Sequence, residues 1–177
     1  HLMASWMVAH RLEVRQVRRL VAWAGVAADL DGLSIVGGPE LYGRWHHALT
    51  HGLSAALLIA LICAALAHDR RSVWWLSLTA FHLHLLCDWL GSGVEWPIQY
   101  WWPLNDTFYE TPFGWELDAW PNWVVAMLLI AVCGRIAITS GHSFAETVLS
   151  PAADAAVVSA LRRRFAPRSI PLHVRNT

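Results

Sequence analysis

Residues 79–90, TAFHLHLLCDWL, place two histidines and an aspartate inside an otherwise apolar stretch. On a helix His84 and Asp88 lie on one face, one turn apart, at a spacing that suits a shared metal ion. The same spacing also serves a plain hydrogen-bonded pair, and His82 points away from both. Two further groups upstream favour the metal reading: Asp29-Leu30-Asp31, and His46-His47-Ala48-Leu49-Thr50-His51, each at the end of an apolar run. Imidazole and carboxylate donors without a thiolate suit zinc, with manganese or iron as alternatives. Taken alone, Asp29 and Asp31 also fit a helix end or a turn.

The elements that carry these residues are read as membrane helices. The 177-residue chain is 56% hydrophobic and contains 12 tryptophans, which sets it apart from ordinary soluble domains. There is no lysine, and the 13 basic residues are arginines in short groups beside apolar segments. That pattern excludes a nucleic-acid partner. Cys63, Cys87 and Cys133 sit in apolar runs at unrelated spacings and read as small core residues. There is no cleavable signal-peptide pattern, and His1 without a preceding methionine reads as though a few residues come before it.

Residues 1–28 read as helical, but Arg11, Glu13, Arg15, Arg18 and Arg19 prevent a single span across hydrocarbon. If the chain turns back near Glu13, His1 approaches Asp29; if it runs straight, the two are about 40 Å apart. Residues 49–67 form a strongly apolar helix, joined by the short link His68-Asp69-Arg70-Arg71 to a second helix over 73–90. In such a hairpin His51 and Asp88 are each about 28 Å from the link. The three groups therefore converge at the end of the bundle away from Arg70 and Arg71. Residues 91–118, rich in Trp and Pro with acids such as Glu95 and Glu116, read as an interfacial loop that can also wall the cluster. Residues 122–138 form the last apolar span. Residues 140–146, with His142 and Glu146, read as a solvated cap, and 152–165 as an amphipathic helix on the inner leaflet with a loose tail from Pro167.

The expected fold is all-α: an integral membrane helical bundle with about three to five membrane-associated helices. A membrane-embedded metallohydrolase-like unit occupies 1–150, and a basic amphipathic helix with its tail occupies 151–177. Arginines at one end place that end in the cytoplasm by the positive-inside rule, so the cluster faces outward.

These motifs resemble those of the membrane-bound, predicted metal-dependent hydrolases of bacteria and archaea. That family's pattern is an early His, Pro-Asp-x-Asp, His-Arg-x-x-Thr-His-Ser, and His-x-x-x-Asp followed by Gly and Trp-Pro. Here Ala28 stands for the proline, His47 for the arginine and Gly52 for the serine, while Gly93 and Trp96-Pro97 follow as expected. The resemblance makes His1 the early histidine and covers His1 to about Pro103. It implies the ligand set His1, Asp29, Asp31, His46, His51, His84 and Asp88. The family's ligand order is in turn similar to that of helical zinc phospholipases C and single-strand nucleases, which implies phosphoester chemistry. The expected function is thus metal-dependent hydrolysis of a phosphoester or phosphodiester, such as a lipid headgroup, at a bacterial or archaeal cytoplasmic membrane. Whichever of Asp29 and Asp31 does not ligate acts as general base, and Arg44 and His47 contact the phosphate. Two other readings stay open: a haem-binding electron-transfer protein using His51 and His84, and a non-catalytic metal-binding or transport protein. Oligomeric state is not legible.

Overall fold

A computed structural model describes residues 1–93 and 96–166; Glu95 and the tail from Pro167 lie outside them. Among the described residues the chain is all-α, without strands and with one isolated bridge between Ile98 and Tyr109.

Helices α1 (Leu2–Ala9) and α2 (Arg15–Ala24) form an antiparallel hairpin. The charged stretch between them makes the turn. Arg18, on α2, reaches back and donates to the carbonyls of Leu12 at 2.7 Å and Glu13 at 2.8 Å, which would otherwise be left without partners. The chain therefore turns back near Glu13, and His1 returns to the far end of the fold. Gly25, just after α2, has no room for a side chain, since a Cβ there would meet Ser5 Oγ and lie 2.9 Å from the Ala80 carbonyl. Without a side chain, the hairpin lies directly on the helix that carries His84.

A 3-10 segment, Ala27–Gly37, leaves α2 at a bend of 54° and carries both aspartates. After α3 (Pro39–Trp45) comes an irregular stretch with the second histidine group, then α4 (Leu53–Ala65) and the long α5 (Arg70–Gly91). Asp69 caps α5 by accepting from the Ser72 backbone N–H at 3.2 Å. The buried core between α1, α2, α4 and α5 is largely alanine with Val21, Val73 and Cys63, and Ala56, Phe81, Leu85 and Ile98 continue it toward the aspartates. Small side chains let these helices approach closely. The last long helix, α6 (Trp120–Ser140), ends at Gly141, whose φ of 83° suits glycine. A 3-10 turn, Phe144–Thr147, leads to α7 (Pro151–Phe165). α7 begins where the second unit is expected, and it packs on the rest through Asp154, Val158 and Arg162.

Several helices differ from the expected bounds; α6 runs two residues further at each end than the expected 122–138, and α7 starts one residue early. α4 starts at Leu53 rather than 49, because residues 46–52 are drawn out to present His51 and Thr50, and it ends at Ala65 rather than 67. Its 13 residues span about 20 Å, short of the ~30 Å of bilayer hydrocarbon. α5 starts three residues earlier, at Arg70. Among the described residues, length and apolarity single out one helix able to cross a membrane, Trp120–Ser140, plus the bent pair Arg15–Ala24 and Ala27–Gly37 taken together. The expected three to five membrane-associated helices go beyond what these two criteria give.

Candidate metal centre

Four segments distant in sequence bring their polar side chains to one place. From α5, His84 and Asp88 stand one turn apart, with His84 Nε2 2.8 Å from Asp88 Oδ2. His51, just before α4, directs its Nε2 to Asp88 Oδ2 at 3.3 Å and Asp29 Oδ1 at 3.8 Å. Asp29 Oδ1 in turn lies 3.4 Å from His84 Nε2. One donor atom from each of Asp29, His51, His84 and Asp88 lies within 4.8 Å of all the others. The fourth segment supplies His1, whose Nε2 approaches the second oxygen of Asp88 at 3.2 Å and whose ring packs 4.0 Å from that of His84.

The donors suit a cation better than they suit each other. Ligands about 2.0 Å from a tetrahedral zinc are about 3.3 Å apart, and the four separations above, 2.8 to 3.8 Å, bracket that value. His51 Nε2, both ring nitrogens of His84 and Asp88 Oδ2 are buried and lack a hydrogen-bond partner among the described residues. The 2.8 Å approach of His84 to Asp88 is close but not aligned as a hydrogen bond. A buried polar atom without a partner costs about 1–3 kcal/mol, so the three that face one another, His51 Nε2, His84 Nε2 and Asp88 Oδ2, call for a ligand. Asp29 differs from the rest: its side chain is 44% exposed, which puts the open side of the cluster there.

Asp31 does something else. Its Oδ1 accepts from His46 Nδ1 at 2.8 Å, and its Oδ2 from His51 Nδ1 at 2.9 Å and from the Thr50 N–H at 3.2 Å. Thr50 answers with its hydroxyl, which accepts from the Asp31 N–H at 3.0 Å and donates to the Ala28 carbonyl. A carboxylate that holds the Nδ1–H of a histidine fixes its tautomer and aims its Nε2, the usual support of a metal-binding imidazole. Thr50 was not singled out from sequence. Its place in Thr-His was the available signal, and only the contact with Asp31 gives it meaning.

His47 is buried and adopts φ 66°, uncommon for a residue with a side chain. Its Nδ1 donates to the Trp96 carbonyl at 3.2 Å, and the Gln99 N–H donates back to the His47 carbonyl at 3.1 Å. The Trp-rich loop thus walls the cluster. Gly52 allows this: a Cβ would meet the Tyr100 carbonyl at 2.8 Å and that of Gln99 at 3.1 Å. Burial, with His51 beside it, pushes the His47 imidazole down to about 4, so the ring is neutral. Arg44 is exposed, its guanidinium 5.1 Å from the centroid of the Trp45 ring. His82 bonds to the Leu78 carbonyl and the Tyr100 hydroxyl, apart from the cluster as expected.

Residues 140–146 correct the sequence reading. Glu146 is fully buried, not part of a solvated cap. Arg18 binds it through Nε to Oε1 at 2.6 Å and Nη2 to Oε2 at 2.7 Å, and Trp6 Nε1 donates to Oε1 at 2.8 Å. Burial alone raises the Glu146 carboxyl, but the Arg18 and Trp6 bonds outweigh it and hold it below its ordinary value. No sequence spacing links residues 128 apart; the pairing follows from the α1–α2 turn meeting the α6–α7 turn.

No curated protein and no solved structure matches this chain. The sequence profile of the YdjM inner membrane protein does, over residues 2–165. That match covers nearly the whole chain, every residue of the cluster except His1 and every described helix, and the protein therefore belongs to the YdjM inner membrane protein family.

Proposed function

We propose that this inner-membrane protein is a divalent-metal-dependent hydrolase acting on a phosphoester or phosphodiester, with a lipid headgroup as the favoured substrate class. The observation that carries the reading is the set of buried, unpartnered donors on His51, His84 and Asp88, closed by Asp29 at its exposed edge. Zinc is the favoured ion, with manganese or iron as alternatives. A divalent ion in this position supplies Lewis acidity, making water nucleophilic at neutral pH and drawing charge from phosphoryl oxygens.

The residues of the chain then divide the work. Asp31, occupied by His46, His51 and Thr50, orients rather than reacts. Asp29 faces the cluster through Oδ1 alone, so although it joins the donors, its second oxygen is better placed than either oxygen of Asp31 to take a proton from an attacking water. His1 adds a further imidazole to Asp88. Arg44, exposed on the helix leading into His46, is free to meet a phosphate; neutral His47 is not a cation for it. The Trp-rich loop excludes water on the side of His47.

The proposed topology is multi-pass, with α5 and its neighbours membrane-associated as a bundle and the cluster facing outward. It follows from the arginines at positions 11–19, 70–71, 135 and 162–164, which all lie toward the other end. The geometry disfavours haem. Carboxylate oxygens 2.8 to 3.8 Å from the imidazole nitrogens occupy the plane a macrocycle needs.

The test is elemental analysis and phosphodiester hydrolysis by the detergent-purified protein, wild type beside Asp88→Ala. Stoichiometric metal and metal-dependent turnover, both lost in the variant, are expected. Metal without turnover on any phosphoester leaves a binding or transport role. An iron-associated Soret band, or equal metal in both proteins, sinks the reading.

A further inference from the structure

A cavity of about 660 Å³ lies where the α1–α2 turn meets the α6–α7 turn, at the end of the fold away from the aspartate and histidine cluster. Pockets for small ligands run from about 300 to 1,000 Å³. Arg18 and Glu146 line it from below, and their mutual bonds, with those of Arg18 to Leu12 and Glu13, leave the pair nothing to offer a ligand. Other arginines around the cavity are less fully employed.

Arg15 donates through Nη2 to the carbonyls of Glu146, at 2.9 Å, and Leu149. Its Nε is buried without a partner and stands 3.8 Å from Glu146 Oε2, beyond hydrogen-bond reach. Arg11 also lines the cavity; it is exposed and makes no side-chain hydrogen bond or ion pair among the described residues. Arg162 stands at the rim, its Nη2 3.3 Å from where a Cβ on Gly141 would lie. A guanidinium with free N–H groups grips a phosphate through parallel charge-assisted bonds.

The remaining polar groups do not compete for that role. Asp154 accepts from the N–H and hydroxyl of Ser143, and Glu13 is exposed. His142 Nε2 donates to the His10 carbonyl, and His10 Nδ1 to that of Met7. Arg11, Arg15, Arg18 and Arg162 against Glu13, Glu146 and Asp154 leave one net positive charge. The cavity opens beside Ile136–Gly141, at the end of the helix able to cross a membrane. In an inner-membrane protein that is the level of the lipid headgroups, where basic pockets between helices take anionic ones.

We infer that this cavity is a phosphate-binding site gripped by Arg11 and Arg15, taking either the headgroup phosphate of an anionic phospholipid or a free phosphate. It is separate from the metal cluster and does not depend on the reading of that cluster.

The experiment uses the full chain, purified in detergent and stripped of lipid. Phosphatidylglycerol binding is followed by native mass spectrometry and inorganic phosphate binding by calorimetry. Arg11→Gln removes no contact within the fold and should weaken binding about tenfold or more. Arg15→Lys keeps the charge, loses the fork and should weaken it as well, whereas Asp88→Ala should bind as wild type does. Saturable phosphatidylglycerol binding with this pattern identifies a lipid headgroup, and the same pattern with inorganic phosphate alone identifies a soluble source. The inference is overturned if wild type binds neither probe saturably, if both arginine variants bind as tightly as wild type, or if Asp88→Ala abolishes binding.

Discussion

The protein buries charge at both ends, and the two ends are built on opposite principles. At one end Glu146 has every obvious bond made: two from Arg18, one from Trp6, with Arg18 also closing the α1–α2 turn. At the other, Asp31 is equally satisfied, but the atoms it aims, together with those of His84 and Asp88, are left without partners. A saturated buried pair locks helices together and has nothing left to offer a ligand. An unsaturated one holds donors at a cost that a bound cation repays. The comparison therefore separates a closed structural pair from an open set of donors without reference to any relative.

Substitutions should break the two centres in different ways. The largest contrast is Asp88→Ala, which removes the carboxylate that three histidines approach. Metal content should fall to background while the protein stays folded and inserted, as measured by elemental analysis and circular dichroism on one sample. Retained metal would show that the unpartnered atoms are not the ligands.

Arg18→Ala or Glu146→Ala should do the reverse. Either leaves a buried charge alone, at a cost of about 3–5 kcal/mol, read as a lower unfolding midpoint in detergent. Metal per folded chain should stay unchanged. The pH dependence has a definite sign, because Glu146 is held below its ordinary value of 4.5 in the folded protein. Its contribution is fully present above the unfolded value and is lost as pH falls through the folded one. Wild type should lose stability on acidification below about 4.5, and Glu146→Gln should lose that part of the dependence. If wild type and Glu146→Gln acidify in parallel, the pair is not what locks this end.

Asp31→Asn falls between these extremes, since Asp31 aims ligands without belonging to the four-residue group. An asparagine keeps the shape but no longer draws the Nδ1 protons of both His46 and His51. Losing such support costs about 10- to 100-fold in metal affinity, which a competitive chelator titration would read. A complete loss would make Asp31 a ligand itself.

Much of the functional end was legible because helix arithmetic is rigid. His51 and Asp88 are equidistant from the Asp69 link, and a hairpin must return them to one level. The all-α class followed from composition in the same way. What escaped was whatever depends on how irregular segments lie. The turn at Glu13 could not be told from a straight run, although Arg18 bonding to the Leu12 and Glu13 carbonyls decides it. Residues 49–52 look helical by hydropathy, yet Thr50 is pulled onto Asp31 and His47 takes a positive φ, so α4 begins late. Glu146 looked like a surface residue because its partner lies 128 positions away.

The smallest effect expected is also the one that probes the join between loop and site. Gly52 sits under the Tyr100 and Gln99 carbonyls, and a Cβ there would lie 2.8 Å from the first. The contact is with backbone, which cannot swing aside like a long side chain. Gly52→Ser, the residue usual in the resembling hydrolases, should therefore push the Trp-rich loop outward at an overpacking cost of about 1 kcal/mol. His47 depends on that loop through the Trp96 carbonyl and the Gln99 N–H, whereas His84 and Asp88 stand on α5 and do not. The substitution should speed hydrogen exchange at the Gln99 amide, which donates to the His47 carbonyl, and leave the metal content of the aspartate-containing group unchanged. If metal content falls as well, the loop supports the whole centre and not His47 alone.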